Sequence, residues 1–165
     1  MATSIDGWKY MKAQDAISGK EGALYANFDG QQIQVAECKN ISAKITKQKS
    51  EFKALGYRGT QHKATGWSGS GTLTIHYATS KFAKMMIDYA KNGIDQYFTL
   101  QIINQDPTSR IGRQTVNLYY VNLDESEIAK LDSDSEFLDQ SMNFTFSDVE
   151  MTESFRDMNS EDFDN

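Results

Sequence analysis

The chain has 165 residues, 39% of them hydrophobic and 12% aromatic, enough for one globular domain that buries roughly two-thirds of its unfolded surface. Its net charge of −6 resides in residues 148 to 165, where seven acidic side chains accompany one Arg, and the balanced remainder argues against a protein that wraps nucleic acid on a basic face. No apolar run could span a bilayer, Met1 to Asp15 lacks the apolar centre of a signal peptide, and lone Cys38 forms no internal disulfide, so the expected compartment is the reducing cytosol unless a larger assembly carries the product out.

Residues 1 to 18 are polar with scattered aromatics and are expected to form an extended arm. Ala23 to Phe28 alternates and is followed by Asp29-Gly30, a hairpin signal, because both central residues of a type I′ turn need positive φ. The return strand covers Gln31 to Glu37. From Asn40 a two-faced strand runs towards Phe52, with Ile41, Ala43 and Ile45 on one parity. Residues 53 to 66 lose all regularity and read as a long connection, of a length that is usually functional or disordered. Alternation resumes with Gly71, Leu73, Ile75 and Tyr77. Thr79 or Ser80 can cap one helix, whose Phe82, Met85, Met86 and Tyr89 form an apolar stripe, and Asn92-Gly93 stops it. Tyr97 to Asn104 and Thr115 to Leu123 pair as a hairpin after the Asp106-Pro107 turn. Leu138, Met142, Phe144 and Phe146 alternate with polar residues in a last strand, and the acidic sequence after Val149 is expected to stay unordered until a partner docks. The fold class is mainly β: an antiparallel β-sandwich or half-barrel with one flanking α-helix, divided as an arm over 1–18, a β-domain over 19–149 and an acidic tail over 150–165.

Charge is sorted along the chain. Residues 31 to 63 hold seven basic side chains against two acidic ones, whereas 124 to 165 hold fourteen acidic against two basic. If they lie on opposite ends, complementary patches of this kind suit head-to-tail assembly, steering encounters and setting register.

Catalytic patterns fail on inspection. The stretch Gly66-Trp67-Ser68-Gly69-Ser70-Gly71-Thr72 lacks the Lys of a phosphate-binding loop, the third Gly of a dinucleotide fingerprint and the second Gly of a nucleophile elbow. It reads instead as a bulged strand start where backbone lies close to another chain. Cys38, His62 and His76 lack zinc spacing, and Asp132, Asp134 and Glu136 open a calcium-loop pattern that Phe137 and Asn143 break. No enzyme and no cofactor is expected.

Several separated blocks resemble a known family. Ile17-Ser18-Gly19-Lys20-Glu21-Gly22, His62-Lys63 with Thr65-Gly66, Thr79-Ser80-Lys81-Phe82, Met86 with Asp88-Tyr89, Asp95 with Tyr97-Phe98-Thr99-Leu100-Gln101, Leu131-Asp132 with Asp134-Ser135-Glu136, and Phe144-Thr145-Phe146 with Asp148 are similar to the tail tube proteins of contractile phages and of defective-prophage particles of Gram-positive bacteria. The resemblance covers roughly residues 13 to 150. It implies a subunit that forms homo-hexameric rings stacked into a tube inside a contractile sheath. Partners would be the tail sheath protein, a baseplate or tube initiator and a tail terminator, and DNA, or ions in a bacteriocin-like particle, would pass down the lumen without specific binding. Location would be a virion or phage-like particle tail, assembled in the host cytoplasm.

On this reading Lys53, Tyr57, Arg58, His62, Lys63 and Trp67 are the expected subunit or ring interface, and Lys81, Lys84, Asp88 and Lys91 form the helix face turned to the sheath. The near-neutral body suits a channel through which a polyanion slides, because fixed cations would hold phosphates. Two other readings make different demands: a small-ligand-binding β-barrel needs a closed apolar interior, and a polymer hydrolase needs a carboxylate pair.

Overall fold

The structure is a computed structural model and describes residues 10–158. After a 3₁₀ turn over Ala13–Asp15 come β1 (Gly22–Phe28), β2 (Gln31–Gln34), β3 (Cys38–Phe52), β4 (Gln61–His76), α1 (Lys81–Asn92), β5 (Phe98–Gln105), β6 (Arg113–Ser126), β7 (Asp139–Phe146) and β8 (Asp148–Glu153). The strands pair antiparallel in the order β2-β1-β5-β6-β7-β4-β3, with β8 on β6. β2 and β3 stand at opposite ends of that order, yet only residues 35–37 separate them in the chain. So short a link forces the sheet to curl until its ends approach, and Val35 closes the seam from within the core, its N–H donating to the Leu24 carbonyl. The result is an antiparallel half-barrel.

Its interior is filled by side chains. Leu24 and Ala26 from β1, Leu73 and Ile75 from β4, Leu100 from β5, Leu118 and Val121 from β6, and Met142 and Phe144 from β7 are all at most 3% exposed. Period-two spacing in β1, β4 and β7 puts them on one face of the pleat, and in β6 a bulge at Tyr119 and Tyr120 brings Leu118 and Val121, three apart, to the same face. Asp29 and Gly30 adopt φ of 51° and 84°, the two positive values that the β1–β2 turn requires. α1 covers one end, where Phe82, 2% exposed, stacks with Phe28 and Phe98 at centroid distances of 6.2 and 6.4 Å. Gly93 ends the helix at φ 68°, its N–H on the Tyr89 carbonyl.

Several expectations need correction. The irregular connection is confined to residues 53–60, because β4 begins at Gln61, so His62, Lys63 and Trp67 belong to a strand. Gly66 to Thr72 is mid-strand, with the bulge at Thr65, between the pairs Gln48↔Gly66 and Lys49↔Ala64. The first long hairpin is therefore β3–β4. Ala43 and Ile45 leave the core, Ile45 being 52% exposed, and Tyr89 of the helix stripe is 57% exposed. The sequence after Val149 is not all unordered: Asp148–Glu153 forms β8, with Val149 opposite Leu118. Of the expected arm over 1–18, residues 1–9 lie outside the described residues, as do 159–165 of the tail.

Candidate assembly surface

β7 and β8 run along β6 as one strand interrupted at Ser147, whose N–H donates to the Tyr119 carbonyl. β4 pairs with β7 only as far as Gly69↔Phe146 and does not follow the turn into β8. Beyond that rung the β3–β4 hairpin leaves the body. From Ser42 to Ser68 every residue except Ala54 is exposed, on both faces of the ribbon. From the rung Ile45↔Gly69 to the last rung Phe52↔Gln61 is seven residues, so this arm reaches about 24 Å before its terminal loop begins.

The six expected interface residues all lie on this arm and all are exposed. Lys53, Tyr57 and Arg58 form its tip, and His62 and Lys63 stand opposite Glu51 and Ser50. Trp67 sits at the root, its ring 6.4 Å from that of Phe146. Large apolar groups are displayed along the arm as well: Ile45, Phe52, Leu55 and Tyr57 are each more than half exposed. A two-stranded ribbon with solvent on both faces has no core of its own, and its apolar side chains stand in water. Sequence reasoning missed the length of the arm because Gln61 to Gly66 is polar on both parities, as solvent on both faces requires.

Of the helix set, Lys84, Asp88 and Lys91 point to solvent, whereas Lys81 places its ammonium 5.1 Å over the Phe28 ring. Met85 and Met86 are half-buried against the end of β6. The arrangement offers little to a catalytic reading. Among the described residues no cluster of His, Cys, Asp and Glu could hold a metal ion, and the thiol of Cys38 is pushed up by burial, away from the reactive thiolate. The larger clefts, of 670 and 650 Å³, are open surface grooves.

Asp15 and Gln140 had no signal in the sequence, and Asp106 signalled only a turn. Asp15 is fully buried and receives Arg110 in a two-pronged ion pair, Nε to Oδ1 at 2.5 Å and Nη2 to Oδ2 at 2.9 Å, which together hold its carboxyl below the usual range. Asp106 fixes the same turn, accepting from Thr108 Oγ1 at 2.6 Å and from the N–H groups of Thr108 and Ser18 at 2.9 Å. Gln140, 1% exposed, donates to Ser126 Oγ and the Glu127 carbonyl.

A profile described as phage tail tube protein matches residues 9–153. The chain belongs to the phage tail tube protein family. The phage-like element PBSX protein XkdM of Bacillus subtilis (strain 168) is 46% identical over 147 residues, covering 89% of this chain and 97% of that protein. Among solved structures, the half-barrel is similar to a chain of the sheath–tube complex of an extracellular contractile injection system, PVC, in its extended state, with a TM-score of 0.64 at 13% identity over 85% of this chain and 93% of that one. A chain of the anti-feeding prophage baseplate gives 0.63 at 16% identity over 82% and 94%. At these identities the likeness is one of fold. Together they make the chain a structural subunit of a phage-type tail tube and not an enzyme.

Proposed function

We propose that this tail tube subunit assembles as homo-hexameric rings that stack into a hollow tube, with the β3–β4 arm as the principal contact between copies. The observation that carries this reading is the arm itself: 27 residues, 42 to 68, exposed almost without exception, basic, and bearing Ile45, Phe52, Leu55 and Tyr57 in water. Contacts through Lys53, Tyr57, Arg58, His62, Lys63 and Trp67 would bury that surface, and β3 would gain hydrogen-bond partners along its free edge. The tube would lie inside a contractile sheath that meets Lys84, Asp88 and Lys91 of the helix. A tube initiator on the baseplate and a terminator would bound its length, assembly taking place in the host cytoplasm. DNA would pass through the lumen without specific binding. In support, the anti-feeding prophage baseplate that shares this fold is sixfold symmetrised, and the PVC neighbour is part of a sheath–tube complex.

The ligand-barrel alternative finds no room here, because the half-barrel interior is packed with Leu73, Ile75, Leu100, Leu118, Val121 and Phe144. Electron microscopy of the concentrated purified chain tests the assembly reading. Sixfold rings and stacked tubes are expected, and a monomer at every concentration and ionic strength would overturn it.

A further inference from the structure

A bulky residue rarely takes positive φ, yet Tyr120, in the middle of β6, sits at φ 56°. The cause is a bulge: Leu118 pairs with Leu100 and Val121 with Phe98, so Tyr119 and Tyr120 together oppose Thr99. A Gly would relieve the strain, and Asn or Asp would reduce it. The chain has Tyr instead, and the conformation turns its ring outward, 62% exposed. Strain held at a surface aromatic, with no core contact to explain it, directs attention to what the ring borders.

It borders an open cleft of 650 Å³ between the β1–β2 turn and the start of β8. Tyr97 and Tyr120 supply aromatic surface, the former 58% exposed, while Asp29, Asp148 and Glu150 supply carboxylates. Tyr119 donates its hydroxyl to Glu150 at 2.9 Å and so fixes that carboxylate, which in turn raises the Tyr119 pKa. Among the described residues no cation pairs with Asp29, Asp148 or Glu150. Phenol rings beside unpaired carboxylates select a guanidinium or ammonium group, which can stack on the ring face and pair with the acid together.

The same chain carries such groups without partners. Among the described residues Lys53, Arg58 and Lys63 form no ion pair, and the arm holds Lys53 and Arg58 about 24 Å and Lys63 about 17 Å from the body, so they meet the surface of another copy more readily than their own. We infer that the cleft bounded by Tyr97, Tyr120, Asp148 and Glu150 is the socket for the basic arm tip of a second copy, with Arg58 the side chain that enters it. This rests on the tube reading above and names the receiving surface. The charge sorting of the sequence then has a structural expression: a basic arm and an acidic socket on different parts of one molecule, the arrangement of a heterologous contact.

Charge reversal with rescue tests it on the full chain. Arg58→Glu and Glu150→Lys each leave the core untouched, and circular dichroism and the unfolding midpoint should match the parent. Each should raise the critical concentration for tube formation, measured by sedimentation and electron microscopy, about 5- to 30-fold. The double variant Arg58→Glu/Glu150→Lys should return to within about two-fold of the parent, since the pair is restored with its signs exchanged. Additive losses in the double variant, or single variants that assemble at the parent concentration, would overturn the socket while leaving the tube reading in place. A parent chain that never assembles would overturn both.

Discussion

Gly71 offers a quantitative test of how the half-barrel is packed. It pairs with Ala43 on one side and Phe144 on the other, and the Phe144 ring lies directly across it. A methyl group here would overlap the Phe144 ring and stand 2.5 Å from the Ser42 carbonyl oxygen. Neither can yield cheaply, because the ring is 1% exposed and the carbonyl is backbone within the β3–β4 ladder. Overpacking of this kind costs typically about 1–3 kcal/mol, and Gly71→Ala belongs at or above the upper end. Gly69 meets the Phe146 ring in the same way, but that ring borders an open cleft with Trp67 and Ser147 into which it can swing, so Gly69→Ala should cost less. Gly66 lies out on the arm, where the added carbon would stand 3.2 Å from Gln48 Oε1, the end of a flexible exposed side chain. Gly66→Ala should be neutral or stabilise by up to about 1 kcal/mol through the unfolded state. Urea unfolding at concentrations below assembly gives the order directly. Gly71→Ala within about 0.5 kcal/mol of the parent, or Gly66→Ala as the most damaging of the three, would refute the argument.

The helix should behave as its burial dictates: Phe82→Ala should cost about 3–5 kcal/mol, whereas half-buried Met86→Ala should stay below about 2 kcal/mol, both read from unfolding curves. The carboxyls of Asp15, Asp106 and Asp139 are held low by hydrogen bonds from Arg110, Thr108 and Lys39. Their stabilisation is therefore complete above the ordinary carboxylate range and is lost as pH falls through the depressed folded values, so the thermal midpoint should fall below about pH 4, and less steeply in Asp15→Asn; a midpoint flat to pH 3 would contradict this. Replacing residues 53–60 by Asn-Gly joins Phe52 and Gln61 through a two-residue turn, and should leave the unfolding midpoint unchanged while electron microscopy shows no tubes.

Where one face of an element is buried and the other solvated, the sequence announced it. β7 alternates buried and exposed positions from Gln140 to Phe146, the helix stops at Gly93 and the first turn falls on Asp29-Gly30, all readable from pattern and turn chemistry. The arm was unreadable for the complementary reason: Gln61 to Gly66 pairs in a ladder, but no core selects its parity. β8 was hidden by its charge, since Asp148, Glu150 and Glu153 suggest solvated chain until Val149 is seen packed beside the core. The Gly-rich stretch has close approaches within the chain, Gly69 to the Phe146 ring and Gly71 to the Phe144 ring, which pattern could not name because these residues lie far away in sequence. Asp15 and Arg110 likewise meet only through the fold.

The charges on the free edges follow a consistent logic. β3 ends the strand order and carries Lys39, Lys44, Lys47 and Lys49 against Glu51, whereas β8 pairs, among the described residues, on its β6 side alone and carries Asp148, Glu150 and Glu153 with no basic residue. An exposed strand edge is a template for aggregation, and like charge along it repels a second copy of the same edge. Lysine-rich β3 therefore resists pairing with β3, and acidic β8 with β8, so the symmetric dimers that would end growth are disfavoured. Between unlike edges the sign reverses, and approach is favoured most at low ionic strength. Near-neutral β2, with no charged residue in Gln31–Gln34, is protected instead by being short. One distribution of charge thus opposes uncontrolled stacking while leaving open the unlike contacts that a repeating tube needs.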